Sequence, residues 1–73
     1  MQRDNTPAMV RQIVGRCHVG QSNRAVIRYF VSRLKRGAWG KLSRDERKQW
    51  LRHVIDAHRE NRGLYHAVMT GRF

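Results

Sequence analysis

A row of basic and polar side chains between residues 21 and 36 is the part of this sequence best suited to chemistry. Arginine can bind a phosphate or a guanine edge through two parallel hydrogen bonds, and asparagine or glutamine can bind an adenine edge in the same way. Most members of the row recur at spacings of three or four, as residues on one helix face do. They are Gln21, Asn23, Arg24, Arg28, Ser32, Lys35 and Arg36. The row predicts a surface that binds an anionic partner.

The net charge points to the same kind of partner. The 73 residues contain 16 Lys and Arg against 5 Asp and Glu, which gives a formal net charge of +11. Residues 1–44 hold ten basic side chains and one acidic one, whereas residues 45–73 hold six and four. The electric field that steers a polyanion therefore comes mainly from the first part of the chain. Charge alone does not distinguish DNA, RNA or an acidic protein surface, so all three stay open here.

The stretch RGAWGK adds an aromatic ring to this basic region. Trp39 lies between Gly37 and Gly40, and Lys41 follows, in a segment short enough to be a loop. A tryptophan at this place can stack on a base or anchor a protein interface, and it can equally cover the core. Trp50 instead falls within a periodic apolar stripe, so we expect it in the core.

Three amphipathic segments are predicted to position these side chains. Apolar residues recur at helical spacing in residues 7–18, 23–36 and 44–60, residues 64–70 can form a further short helix, and residues 1–5 are expected to be flexible. The stripes are Met9, Val10, Ile13, Val14 and Cys17; Val26, Ile27, Phe30, Val31 and Leu34; and Trp50, Leu51, Val54, Ile55 and His58. Because the stripes are broad, they suit a globular core. The sequence predicts one all-α domain, a compact three-helix bundle with a short C-terminal turn or helix.

Capping residues support these boundaries. Ser22 is a predicted N-cap, and Ser43 with Glu46 has the spacing of a capping box. Thr6 and Pro7 suit a helix start, and Gly20 and Gly37 suit left-handed helix ends. The connection between the first two helices is then only three or four residues long.

This connection, with Gly20 inside it, resembles that of the DNA-binding helix-turn-helix family over about residues 8–36. The resemblance implies that the second helix reads DNA, with Arg24 and Arg28 among the contacts. Arg16 and Tyr29 stand where that family usually carries alanine and a branched apolar residue.

In length, arginine content and helix layout, the chain also resembles small helical proteins that lytic bacteriophages encode to control host transcription. This resemblance implies binding to bacterial RNA polymerase, inhibition of initiation, antitermination and a location in the host cytoplasm. It also makes an N-terminal segment with Gln2 and Arg3 a candidate contact with the enzyme. Duplex DNA remains the alternative partner.

Other functions find less support in the sequence. No nucleophile has an evident base, so we expect a protein that is not an enzyme and needs no cofactor or small-molecule substrate. The histidines and Cys17 lack the spacing of metal ligands, so no metal site is predicted. No apolar run is long enough to suggest a membrane span. Near the C-terminus, Tyr65, Met69 and Phe73 form a candidate patch for dimerisation.

Overall fold

The computed structural model describes residues 7–71, and the regular structure in this range is entirely α-helical. The helices are α1 (Ala8–Val14), α2 (Asn23–Ser32), α3 (Ala38–Lys41) and α4 (Arg44–Thr70). The predicted all-α class is confirmed, but there are four helices in this range where three were predicted. The predictions for Gln2, Arg3 and Phe73 lie outside the described residues.

The core forms where α1 and α2 pack against α4. Each of these helices contributes residues from its predicted apolar stripe. The buried side chains are Val10 and Val14 from α1, Val26 and Phe30 from α2, and Val54, Ala57 and His58 from α4. The half-buried Trp50 stacks on Phe30 with ring centroids 6.2 Å apart, at the edge of this cluster. Burial of these stripes, rather than helix propensity, is what stabilises such short helices.

Two predicted N-caps are present. The Ser22 side chain accepts a hydrogen bond from the Ala25 amide at 3.2 Å, at the start of α2. At the start of α4, the Ser43 side chain accepts from the Glu46 amide and the Glu46 carboxylate accepts from the Ser43 amide, at 3.1 and 2.8 Å. Both caps satisfy backbone donors that a helix N-terminus leaves unpaired.

The first helix is shorter than predicted. It ends at Val14, whereas the sequence predicted an end near residue 18. Gly15 follows in an ordinary right-handed conformation, and Gly20 is not left-handed as predicted. The turn is stabilised by side chains: the Gly20 amide donates to Nδ1 of His18 at 2.9 Å, and the His18 amide donates to Oε1 of Gln21 at 3.1 Å. The connection between α1 and α2 is therefore residues 15–22, about twice the predicted length.

The second helix also ends early, at Ser32 rather than residue 36. The Ser32 hydroxyl donates to the Tyr29 carbonyl at 2.6 Å. The Arg33 amide is shared between the Tyr29 and Phe30 carbonyls, and the Leu34 amide bonds only three residues back, to Val31. Serine side chains that bond to a preceding carbonyl in this way favour a helix end. Gly37 then adopts a left-handed φ of 79°, and α3 occupies the segment predicted as a loop.

The last helix is continuous where the sequence predicted a break. α4 runs for 27 residues through Gly63 and ends at a left-handed Gly71. A helix of that length spans about 40 Å, which nearly equals the longest dimension of the molecule, 43 Å. Its final turns therefore extend the apolar stripe beyond the core residues.

Candidate functional site

The solvent side of α2 carries most of the predicted binding residues. Arg24, Arg28 and Ser32 are exposed, and the half-buried Ile27 and Val31 lie between them. These five side chains line one surface groove, which we call the α2 groove. Ile27 and Val31 also pack against the core, so the floor of the groove is held by the fold. The site is a mixed surface of arginine and aliphatic carbon on a rigid helix.

The arginines of the α2 groove have no partners within the described part of the chain. Neither Arg24 nor Arg28 makes an ion pair or a side-chain hydrogen bond to any of residues 7–71. The four acidic side chains in this range all lie on α4, where Glu60 pairs with Arg11 at 3.6 Å and Glu46 caps the helix. Both groove guanidinium groups are thus available to an external anion.

The other predicted site residues are spread around this groove. Asn23 is exposed at the first position of α2, and Lys35 and Arg36 are exposed in the turn that follows the helix. Gln21 has a structural role, because its side-chain oxygen accepts from the His18 amide.

Trp39 and Lys41 belong to α3 rather than to a loop. Trp39 is half-buried and packs against the core, as one of its two predicted roles required. Lys41 is exposed at the end of α3. Arg47 ties this segment to α4, since its Nε donates to the Leu42 carbonyl at 3.2 Å. The structure therefore places Lys41, but not the full ring of Trp39, on an accessible surface.

The sequence placed His58 in the apolar stripe of the third helix, and the structure adds a polar role to it. Its side chain is 1 % exposed, and Nε2 lies 2.8 Å from the backbone carbonyl of Gln21. Because a carbonyl only accepts, Nε2 must carry the hydrogen. His58 thus joins α4 to the turn before α2, and no local signal could predict a bond between residues 37 positions apart in the chain.

Cys17 and the histidines do not form a reactive or metal-binding centre in the described range. Burial raises the pKa of the Cys17 thiol, so less of the nucleophilic thiolate is present at neutral pH. No three histidine, cysteine or acidic side chains among residues 7–71 are grouped so that they could hold a metal ion. Within the same range, no helix has both the length and the apolar character needed to cross a membrane.

Comparisons of the chain with models of protein families, with curated protein sequences and with solved structures gave no significant match. The function of the protein must therefore be inferred from the residues of the α2 groove and from their surroundings.

Proposed function

We propose that this protein is a small transcription regulator that binds bacterial RNA polymerase through the α2 groove, inhibits initiation and promotes antitermination. The observation that supports this best is the composition of the groove: Arg24 and Arg28, free of partners within residues 7–71, lie beside the aliphatic side chains of Ile27 and Val31. Arginine beside apolar surface is typical of protein interfaces, where it can bind a carboxylate while its stem packs on carbon. The resemblance to phage regulators of host transcription favours bacterial RNA polymerase as this protein partner.

The length of the turn favours a protein partner over groove-reading of DNA. Helix-turn-helix units join their two helices at a steep angle through a turn of about three or four residues. Here residues 15–22 separate α1 from α2. We infer that α1, α2 and the first part of α4 form a helix-turn-helix-like bundle whose longer turn serves a protein interface. The N-terminal Gln2 and Arg3 are proposed as a second contact with the polymerase.

Duplex DNA is the second candidate partner, and a separate observation favours it. Asn23 and Arg24 are exposed at the N-terminus of α2, and Arg28 follows one turn later. The N-terminal residues of a recognition helix are the ones that contact base edges in helix-turn-helix complexes. In this alternative the protein is a DNA-binding repressor or accessory factor.

Binding of the fluorescently labelled protein to purified bacterial RNA polymerase, with no DNA present, tests the first proposal. We expect saturable binding, and we expect Arg24→Glu with Arg28→Glu to weaken it about a hundredfold, since reversing charges at an interface costs several kcal/mol. The matched control is Arg59→Glu with Arg62→Glu, which changes the net charge equally at two exposed positions of α4. The control should retain binding and inhibition of transcription from a promoter template.

The same variants measured on duplex DNA separate the two candidates. If DNA is the partner, the groove variant should weaken binding to duplex DNA at least tenfold and flatten its dependence on salt, because two positive charges are lost from the interface. No binding to polymerase by the wild type, or equal losses in the groove and control variants, would overturn the polymerase proposal.

A further inference from the structure

A second basic cleft lies on the side of α2 that faces α1. It is lined by Gln12 and Ile13 of α1, Arg16 from the turn after α1, Tyr29 of α2, and Arg33 at the end of α2. None of these side chains belongs to the α2 groove, which lies on the other side of the helix. We call this second site the α1–α2 cleft. Its test is therefore independent of the proposed polymerase binding.

The polar lining of the α1–α2 cleft can donate hydrogen bonds, and it contains no acidic side chain. Arg16, Arg33, Tyr29 and Gln12 line a common space, and their side chains carry guanidinium, phenol and carboxamide groups. The side chains of Arg16 and Arg33 make no ion pair or hydrogen bond to residues 7–71. A cleft that concentrates donors and positive charge without a negatively charged side chain is suited to an anion.

The backbone of the cleft is fixed by the core. Ile13 packs against the core cluster, and its neighbour Val14 is fully buried. Tyr29 is half-buried and precedes the fully buried Phe30. Arg16 and Arg33 lie within two residues of the ends of these two packed helices, so the fold places both arginines at the same cleft. Such preorganisation reduces the entropy lost on binding.

We propose that the α1–α2 cleft binds a phosphate group, with Arg16 and Arg33 as the charged ligands and Tyr29 and Gln12 as neutral donors. The planar guanidinium matches the spacing of two phosphate oxygens, and paired arginines neutralise a dianion. The phosphate can come from a nucleic-acid strand or from a free nucleotide, and both present the same tetrahedral oxyanion.

The test is a nitrogen-15 NMR titration of the full chain with inorganic phosphate, followed through arginine Nε–H and glutamine side-chain amide signals. Sodium acetate at equal ionic strength is the comparison anion. We expect saturable shifts for Arg16, Arg33 and Gln12 with phosphate. Arg16→Met with Arg33→Met should weaken binding about tenfold or more, since charge-assisted hydrogen bonds are the strong ones. Tyr29→Phe should weaken it by a smaller factor.

The matched control is Arg59→Met with Arg62→Met, which removes two exposed α4 charges outside the cleft. It should bind phosphate within about twofold of the wild type, because long-range charges are screened by salt. Equal shifts at all arginines without saturation, equal losses in both double variants, or the same response to acetate would each overturn the proposal.

Two further ligands distinguish the sources of the phosphate. A five-residue oligothymidylate that binds through the cleft more tightly than adenosine monophosphate indicates a nucleic-acid strand, and equal affinities indicate a nucleotide. Either result supports the phosphate site, provided that the Arg16 and Arg33 variant loses it. Loss of polymerase binding in the Arg24 and Arg28 variant does not bear on the phosphate site, because that variant leaves Arg16 and Arg33 in place.

Discussion

At the residue scale, His58 shows how one polar side chain can both fill the core and fix the binding region. Its ring is buried with Val54 and Ala57 on α4, while Nε2 donates to the Gln21 carbonyl at 2.8 Å. The other ring nitrogen, Nδ1, is buried without a hydrogen-bond partner among residues 7–71. An unpaired buried nitrogen costs free energy that the Nε2 bond and the packing of the ring must offset. His58 therefore stabilises the turn that leads into α2, next to the α2 groove.

We expect His58→Ala to lower the free energy of unfolding by about 3 kcal/mol, because it empties a core position and removes a hydrogen-bond donor. Urea denaturation followed by circular dichroism measures this change. The control is His66→Ala, the same substitution at an exposed position on the same helix, which should shift stability by less than about 0.5 kcal/mol. Equal effects of the two substitutions would show that His58 does not connect α4 to the turn.

At the element scale, the continuity of α4 determines how far the last apolar stripe extends. Gly63 lies inside the helix, is exposed, and has open space where a Cβ would lie. Alanine loses less backbone entropy in a helix than glycine does, so Gly63→Ala should stabilise the protein by about 0.5–1 kcal/mol and raise its helical signal. Thermal and urea denaturation followed at 222 nm check both effects.

Gly37→Ala is the opposing control for that substitution. Gly37 has a φ of 79°, a left-handed conformation that a Cβ disfavours, and we expect a loss of about 1 kcal/mol. If the helix instead ended near residue 60, as the sequence predicted, alanine at position 63 would have no interior helical position to stabilise. A loss of stability in Gly63→Ala would then contradict the continuous helix.

The positions of α1, α2 and the first part of α4 could be predicted from the sequence because burial and capping leave local patterns, whereas the short α3 was predicted as a loop. The buried Val10, Val26 and Val54 all lie in predicted stripes, and the Ser22 cap was readable from residue type alone. The ends of α1 and α2 could not be predicted in the same way. They depend on side-chain bonds to the backbone, such as that of Ser32 to Tyr29, which compete with the helix and leave the apolar spacing unchanged.

The candidate sites were predictable in part for a related reason. The spacing of Arg24 and Arg28 indicated one exposed face, and the structure places both there. Periodicity also placed Ile27 and Val31 in the stripe, but only the fold shows that they remain half-exposed beside the arginines. The α1–α2 cleft depends on how two helices meet, so the pairing of Arg16 with Arg33 has no signature in either segment alone.

At the scale of the whole molecule, charge and apolar surface lie in different regions. The basic excess belongs mainly to residues 1–44, whereas residues 45–73 are nearly balanced. The largest exposed apolar side chains of α4 are at its C-terminal end: Leu64, Tyr65, Val68 and Met69 are 54, 51, 54 and 67 % exposed. Exposed apolar stripes of this kind often mark contact surfaces. Two copies can therefore approach through the part of the chain that has the smaller net charge.

We expect the protein to be a monomer at about 0.1 M salt and to form a dimer at about 1 M, because the Debye length falls from about 10 Å to about 3 Å and the repulsion between chains is screened. Sedimentation velocity at the two salt concentrations measures this. Leu64→Ser with Val68→Ser should keep the chain monomeric throughout, since it removes apolar surface from the stripe. His66→Ser with Thr70→Ser, on the opposite face of α4, should still dimerise at high salt. A monomer at both salt concentrations, or a dimer that survives in the Leu64 and Val68 variant, would exclude this stripe as a dimer interface. The stripe would then be a contact surface for a partner other than a second copy of the chain.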